Sequence, residues 1–290
     1  MKLLITGSHG QVGTELTRQS QELGWDVKAV SHKELEITDL EAVRACVISF
    51  EPDAVINAAA YTAVDRAESD VDGAFAVNRS GPENLARVCG EFDIPLVHYS
   101  TDYVFDGSKV GAYLESDRIS PLGVYGESKL AGEKAVVGTC SKYLILRTSW
   151  VFSAHGNNFV KTMLRLGSER EELGVVADQY GKPASAAEIA RLTLEMLPKA
   201  NDHWGVYHLA QPEAVNWHRF AQAIFDEAAR QGMALQVKRV NAITTADYPT
   251  PAKRPANSEL DCTKIEKTFG VMIRPWQESL AEVIKELNNA

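Results

Sequence analysis

Tyr125-Gly126-Glu127-Ser128-Lys129 sets a phenol and an ammonium four residues apart within a helical pattern, which puts both side chains on one face. Reducing a ketone requires a hydride on carbon and a proton on oxygen, and a phenol can give that proton. Lowering its ordinary pKa of about 10 by about three units takes roughly 4 kcal/mol. A unit charge ~4 Å away at an effective dielectric near 20 supplies a similar amount, so the lysine is a sufficient tuning charge. Such pairs also arise by chance, with the aromatic packed inward and the lysine in water. Two further features tell against coincidence. Gly7-Ser8-His9-Gly10-Gln11-Val12-Gly13 falls between an apolar run and a helical pattern. There missing β-carbons let the backbone turn sharply and approach a pyrophosphate, stabilised by N–H groups and the helix dipole. Ser100-Thr101-Asp102-Tyr103 follows a second apolar run, where an open parallel sheet places its ligands. Thr101 is the hydroxyl expected to meet a substrate carbonyl, since Ser100 can cap the strand end through its own backbone. The trio Thr101, Tyr125 and Lys129 implies hydride and proton transfer with a nicotinamide cofactor.

The elements that must hold these groups are legible in the first half. Strands are expected at Lys2 to Ile5, Trp25 to Val30, Ala54 to Asn57, Leu96 to Ser100 and Tyr143 to Arg147. Between them lie helical patterns: one after the glycine turn, one opened by a Thr38-to-Glu41 capping box, one from about Asp65 to Cys89 broken at Gly81-Pro82, and one from about Leu122 to Val137. This alternation predicts an α/β fold with a doubly wound, Rossmann-like parallel sheet. Beyond Trp150 the patterns at Asn158 to Glu171, Ala186 to Leu197, Trp217 to Gln231 and Trp276 to Leu287 predict a smaller, mostly helical region. Val206 to Leu209 reads as a strand, and the three prolines of Ala246 to Pro255 mark a loop. The expected division is a cofactor domain at 1–150, to which the chain returns around 182–210, and a discontinuous substrate domain at 151–290.

The 290 residues are 45% hydrophobic and carry a net charge of −9, enough for a sizeable core and unsuited to a nucleic-acid-binding surface. No apolar run reaches the roughly 18 residues of a membrane span, and the N-terminal run is too short for a secretory signal. The four scattered cysteines form no Cys-x-x-Cys pair and read as reduced thiols, so a cytoplasmic protein is expected.

The spacing Gly-x-x-Gly-x-x-Gly resembles that of extended short-chain dehydrogenases. At the end of the second strand, Val30-Ser31-His32-Lys33 offers no carboxylate before Glu34. With Lys33 to attract a 2′-phosphate, NADPH is expected over NADH. More of the chain resembles one family, the dTDP-4-dehydrorhamnose reductases. The similar segments are Thr6 to Gly13, Asn57-Ala58-Ala59-Ala60-Tyr61-Thr62-Ala63-Val64-Asp65, Tyr99 to Phe105, Arg147-Thr148-Ser149-Trp150-Val151, Asn157-Asn158-Phe159, Asp178-Gln179-Tyr180-Gly181 and Arg254-Pro255-Ala256-Asn257-Ser258. The resemblance implies reduction of the 4-keto group of dTDP-4-dehydro-6-deoxy-L-mannose to give dTDP-L-rhamnose for surface polysaccharide.

It also implies roles for particular residues. Gly7, Gly10, Gln11, Val12 and Gly13 would face the cofactor phosphates, Asp39 and Leu40 its adenine, and Ala60, Tyr61 and Thr62 its middle. Tyr125 would be the proton donor, Lys129 would hold the nicotinamide ribose, and Thr101, Asp102, Trp150 and Arg254 would contact the substrate. Each has a plainer alternative: Asp39 a helix-start carboxylate, Trp150 a core aromatic, Arg254 with Lys253 a solvated pair. Some relatives dimerise through magnesium, and Glu15 matches one of its ligands. Pro183 to Glu188 departs from the partner spacing, so no metal is expected for chemistry, any magnesium would be structural, and homodimerisation is left open. Two rivals share the scaffold: a sugar-nucleotide dehydratase or epimerase, and a non-catalytic NADP-binding regulatory subunit. Asp102-Tyr103, where dehydratases show Asp-Glu, weighs against the first, and the intact trio against the second.

Overall fold

The computed structural model describes residues 1–289, and Ala290, the last residue of the expected second domain, lies outside the described residues. Strands rich in Val, Ile and Leu alternate with helices through the first half: β1 (Lys2–Thr6), α1 (Gln11–Glu22), β2 (Asp26–Val30), α2 (Leu40–Phe50) and β3 (Ala54–Asn57). Then come α3 (Val64–Ala67), α4 (Val71–Phe75), a π-helical turn at Ala76–Ser80, α5 (Gly81–Glu91), β4 (Leu96–Thr101), α6 (Val124–Thr139) and β5 (Tyr143–Thr148). The second half contains β6 (Val151–Phe152), α7 (Phe159–Glu169), β7 (Glu172–Val176), β8 (Tyr180–Gly181), β9 (Ala184–Ser185), α8 (Ala186–Met196) and β10 (Gly205–His208). It ends with β11 (Val215–Asn216), α9 (Trp217–Arg230), β12 (Arg239–Ile243), α10 (Thr263–Phe269) and α11 (Trp276–Asn288).

Six strands form one parallel sheet in the order β10-β5-β4-β3-β1-β2. Both faces are covered, which is why β3 and β4 are buried at every position rather than at alternate ones. Leu3 and Ile5 enter one core and Leu4 the other, as a period of two requires. The chain leaves β1 for β2 on one side and returns to β3 on the other. The carboxyl ends of β1 and β3 therefore flank the crevice where such sheets bind nucleotides.

A third core lies apart, where Phe152, Val160, Phe220, Ile224, Trp276 and Ile284 bring α7, α9 and α11 together. The parallel pair β7-β12 packs with them. Between these pieces the chain goes back to the sheet, since α8 lies on α1 and β10 extends the sheet beside β5. It does so again at Leu260 to Ile273, where Leu260, Ile265, Phe269 and Ile273 join the first core.

Two expectations shift. The expected capping box does not form: Asp39 alone caps α2, accepting from the Glu41 and Ala42 N–H groups at 3.0 Å each, while the Thr38 hydroxyl turns back to Glu36. The carboxylate is the stronger acceptor at a helix N-terminus. The long helix expected from Asp65 to Cys89 is three helices and a π turn, with Pro82 in the first turn of α5. Among the described residues no helix is long and apolar enough to cross a membrane, and all four cysteines are free thiols.

Candidate active site

The glycine turn folds as its composition demands. Gly7 adopts φ +71°, and a β-carbon there would stand 2.4 Å from the Ala59 nitrogen, so only glycine lets the β1 turn lie against the loop after β3. Gly10 is the N-cap of α1, and no side chain caps the helix. Its first N–H groups are left for an anion, with Gln11, Val12 and Gly13 at the positions that carry them. The Gln11 side chain is used elsewhere: its Oε1 accepts from Ser153 Oγ at 3.0 Å and Asn158 Nδ2 at 2.9 Å.

Behind the turn, Asn57 Oδ1 accepts from Thr6 Oγ1 at 2.8 Å and from the Ala59 N–H at 3.1 Å, which fixes the start of the Ala58–Tyr61 loop. Asn78, on the π turn, secures its other end, accepting from the Tyr61 N–H at 2.9 Å and donating to the Tyr61 carbonyl and Ser128 Oγ at 3.0 Å each. A cavity of about 410 Å³ opens here, lined by Gly7, His9, Gly10, Ser31, His32, Leu35, Glu36, Ile37, Val77 and Ala58 to Tyr61. Its glycines, free helix N-terminus and apolar floor fit a dinucleotide. Asp39, Leu40 and Thr62 are not among its lining residues.

The second half of the site hangs on α6. A β-carbon at Gly126 would stand 2.3 Å from the Tyr103 carbonyl oxygen, so this glycine lets α6 touch the turn after β4. That contact brings Tyr125 to Tyr103, whose ring meets it edge-on with centroids 5.6 Å apart. Thr101 and Asp102 are buried at the end of β4, with Thr101 Oγ1 donating to Asp102 Oδ1 at 3.0 Å. Burial pushes the Asp102 carboxyl up to about 6, with hydrogen bonds from Ser258 and Thr101 working against it. Lys129 is 2% exposed and donates to the Tyr99 carbonyl at 2.6 Å, and burial brings it down to about 8 against the pull of Glu133.

The tuning of Tyr125 differs from the expectation. Burial raises the phenol above its ordinary range, the Thr101 hydroxyl lowers it in part, and Lys129 is not among the causes because its ammonium is directed at a backbone carbonyl. Proton donation to an alkoxide does not suffer, since an alkoxide is about as basic as hydroxide (water's pKa is about 15.7) and takes a proton even from an untuned phenol. The expected cofactor selectivity also meets a complication. Glu34 turns back so that its Oε2 accepts from the Ser31 N–H and hydroxyl at 2.8 Å each, which brings an ionised carboxylate to the end of β2.

On the far side of Tyr103 stands Arg254. It donates to Asp65 Oδ2 at 2.9 Å, the Ala252 N–H reaches Asp65 Oδ1 at 3.3 Å, and its charge bears on the Tyr103 phenol, which burial drives up to about 12. Arg254 also lines a second cavity of about 530 Å³, with Phe159, Met163, Leu166, Val176, Gln179, Trp217 and Tyr248 among its walls. Tyr103 thus connects Tyr125 to Arg254, while Thr101, Tyr125, Lys129, Gln11, Val12 and Gly13 line neither cavity.

A family model described as the RmlD substrate binding domain matches residues 1–289. A dTDP-4-dehydrorhamnose reductase of Aggregatibacter actinomycetemcomitans is 48% identical over 287 residues, covering 97% of this chain and 98% of the relative. The chain belongs to the dTDP-4-dehydrorhamnose reductase family. Among solved structures, the family's member from Clostridium acetobutylicum superposes with a TM-score of 0.93 at 40% identity, over 99% of this chain and 100% of that one. A member from Bacillus anthracis, solved in complex with NADP, gives 0.92 at 35% identity over 98% and 99%.

Against this dTDP-4-dehydrorhamnose reductase framework, several residues that build the site escaped the sequence reading. Trp150, at φ +47°, is stacked face to face on Trp217 with centroids 3.5 Å apart, and Trp217 rather than Trp150 lines the second cavity. Trp217 and Phe159 sit at helical spacing and read as core. Asp65 was read only within a family segment, and its pairing 189 residues down the chain leaves no local signal. Ser258, which bears on Asp102, is likewise invisible without the fold. Glu15 is held by Arg18 at 2.7 Å and faces His155 at 3.4 Å, and Glu188 is held by Arg191 and Arg274. Cationic side chains thus take up both carboxylates, a poor fit to a magnesium ion.

Proposed function

We propose that this protein reduces the 4-keto group of dTDP-4-dehydro-6-deoxy-L-mannose to give dTDP-L-rhamnose, with NADPH as reductant, in the cytoplasm. The observation that carries the reading is the convergence of Thr101, Tyr125 and Lys129 at the end of β4, where the Thr101 hydroxyl bears on the Tyr125 phenol and Lys129 reaches the Tyr99 carbonyl. The relatives named as reductases of this sugar nucleotide, and the one solved with NADP, support it.

Gly7, Gly10, Gln11, Val12 and Gly13 would hold the pyrophosphate through backbone N–H groups. Ala60, Tyr61 and Thr62 would border the middle of the dinucleotide, with Asp39 and Leu40 just past Ile37 at its adenine end. The dihydronicotinamide supplies a hydride. Thr101 would turn its hydroxyl from Asp102 to the substrate carbonyl, and Tyr125 would give its proton to the oxygen as charge develops there. Lys129 would hold the nicotinamide ribose. Arg254 holds the diphosphate, exchanging Asp65 for it, and Trp217, backed by Trp150, forms an aromatic wall of the substrate site. Lys33 favours a 2′-phosphate, and the nearby Glu34 narrows the margin over NADH.

The test is NADPH oxidation with dTDP-4-dehydro-6-deoxy-L-mannose and chromatographic identification of dTDP-L-rhamnose. Binding of NADPH without reduction would support the regulatory reading instead, and tightly retained NAD in purified protein an epimerase. A higher kcat/KM with NADH than with NADPH would overturn the cofactor preference.

A further inference from the structure

One buried ion pair is left over from the chemistry. Glu133 lies one helical turn beyond Lys129 on α6, on the same face, and the two are 3% and 2% exposed. Its carboxylate is saturated from the sheet side. Arg147 donates to it twice, Nε to Oε1 at 2.9 Å and Nη2 to Oε2 at 2.7 Å, and Ser100 Oγ donates to Oε1 at 2.5 Å. Ser100 and Arg147 are register partners on β4 and β5, one residue before the Thr101–Thr148 pair. Glu133 therefore fastens α6 to both strands immediately below the catalytic threonine, while Lys129 fastens the same helix to the Tyr99 carbonyl.

Apolar packing alone tolerates small slides of a helix along a sheet. A forked Arg–carboxylate pair does not, because both of its hydrogen bonds have fixed directions. Placing this pair in the core is also expensive, and hydrophobic residues of similar volume are often as stable or more so. Its position beside the ammonium supplies a reason to have it.

We propose that Glu133, held by Arg147 and Ser100, is a positioning residue that fixes Tyr125 and Lys129 over the end of β4 and keeps the Lys129 ammonium charged during turnover. The proposal rests on the reductase reading above. The charge balance around Lys129 leaves few other candidates. From β4 it faces His98, which burial holds neutral, and from its own helix Glu133, with Tyr125 one turn before it on the same face. Arg147 on β5 is a second buried cation whose Nη1 has no partner, and His208 on β10 is pushed down to about 3 and stays neutral. Asp102, the buried carboxyl that follows β4, is taken by the Thr101 hydroxyl. Glu133 is the anion that bears on Lys129.

The experiment compares Glu133→Gln, Glu133→Asp and Arg147→Met with the unaltered enzyme, recording thermal midpoint and kcat for NADPH-dependent reduction from pH 6 to 10. In Glu133→Gln, kcat at pH 7.5 should fall at least about tenfold, and the alkaline limb should move about one pH unit lower, the size expected for one charge a helical turn away. Glu133→Asp keeps the charge and should hold the limb in place with a loss of only a few-fold. Arg147→Met removes the same ion pair and should lower the thermal midpoint as much as Glu133→Gln without moving the limb downward. Should Glu133→Gln not fold, the neutral pair Glu133→Gln/Arg147→Gln takes its place with a smaller downward shift, because a neighbouring cation is lost with the anion. A limb that coincides with that of the unaltered enzyme, or that moves equally in Arg147→Met, overturns the proposal and leaves a structural pair only. Absence of reduction by the unaltered enzyme overturns the reductase reading instead, a different result.

Discussion

The proposed catalytic strip and the second-half cavity are built on opposite principles. Thr101, Tyr125 and Lys129 stand on β4 and α6, and their spacing is set by backbone: Gly126 against the Tyr103 carbonyl, Lys129 on the Tyr99 carbonyl. Arg254 and Tyr248 stand on a loop with three prolines, positioned by side-chain contacts such as the pair with Asp65. The groups proposed to meet the reacting atom are fixed by elements that cannot adjust. Those proposed to select a nucleotide sugar sit where adjustment costs little.

The difference can be tested from the catalytic side first. Tyr125→Phe should lower kcat by about 10²- to 10⁴-fold while NADPH binding, followed by fluorescence titration, stays within a few-fold. Near-normal turnover would remove the phenol from the chemistry. Gly126→Ala should lower kcat about 10²-fold at little change in KM, because the added carbon pushes α6 away from β4. If KM rises and kcat holds, the claim that backbone contact sets the catalytic spacing fails. On the loop side, Arg254→Ala should raise KM for the sugar nucleotide by about 10- to 100-fold with kcat within a few-fold, since a loop cation acts on binding. A drop in kcat alone would erase the contrast.

The last effect expected concerns stability rather than rate. The folded chain holds the Asp102 proton more tightly than the unfolded chain, up to about 6 against an ordinary 3.8. The resulting penalty is absent below the ordinary value, grows between the two, and is complete above about pH 6. Two units correspond to about 3 kcal/mol, so Asp102→Asn should be more stable than the unaltered chain by up to that amount at pH 8 and by almost nothing at pH 3.5. Urea titrations at the two pH values check the sign. A stability difference independent of pH would show that the carboxyl is not strained by burial.

The same contrast explains what could be read from residues alone. The first five strands, the glycine turn and the Tyr-Lys helix announce themselves because each is a local pattern with its own period or spacing. The two-residue strands β6, β8, β9 and β11 have no period to detect, and the parallel pairing of β7 with β12 joins segments more than 60 residues apart. Asp65 and Arg254 form a pair only because the fold returns, and Trp217 looks like any core aromatic until its outer face is found lining a cavity. Resemblance to relatives picked out Arg254. Physics alone would have left it a surface charge.

One consequence of the sheet order concerns how the molecule is made. β10 pairs with β5, but Val206 leaves the ribosome some 60 residues after Ile145, with α7 and the two-residue strands in between. Until then β5 is an unpaired edge of bare N–H and C=O groups beside a half-built core, a template for pairing with another nascent chain. Near the end of that strand Arg147, drawn inward by Glu133, is an inward-pointing charge of the kind that discourages intermolecular pairing at an open edge until β10 arrives.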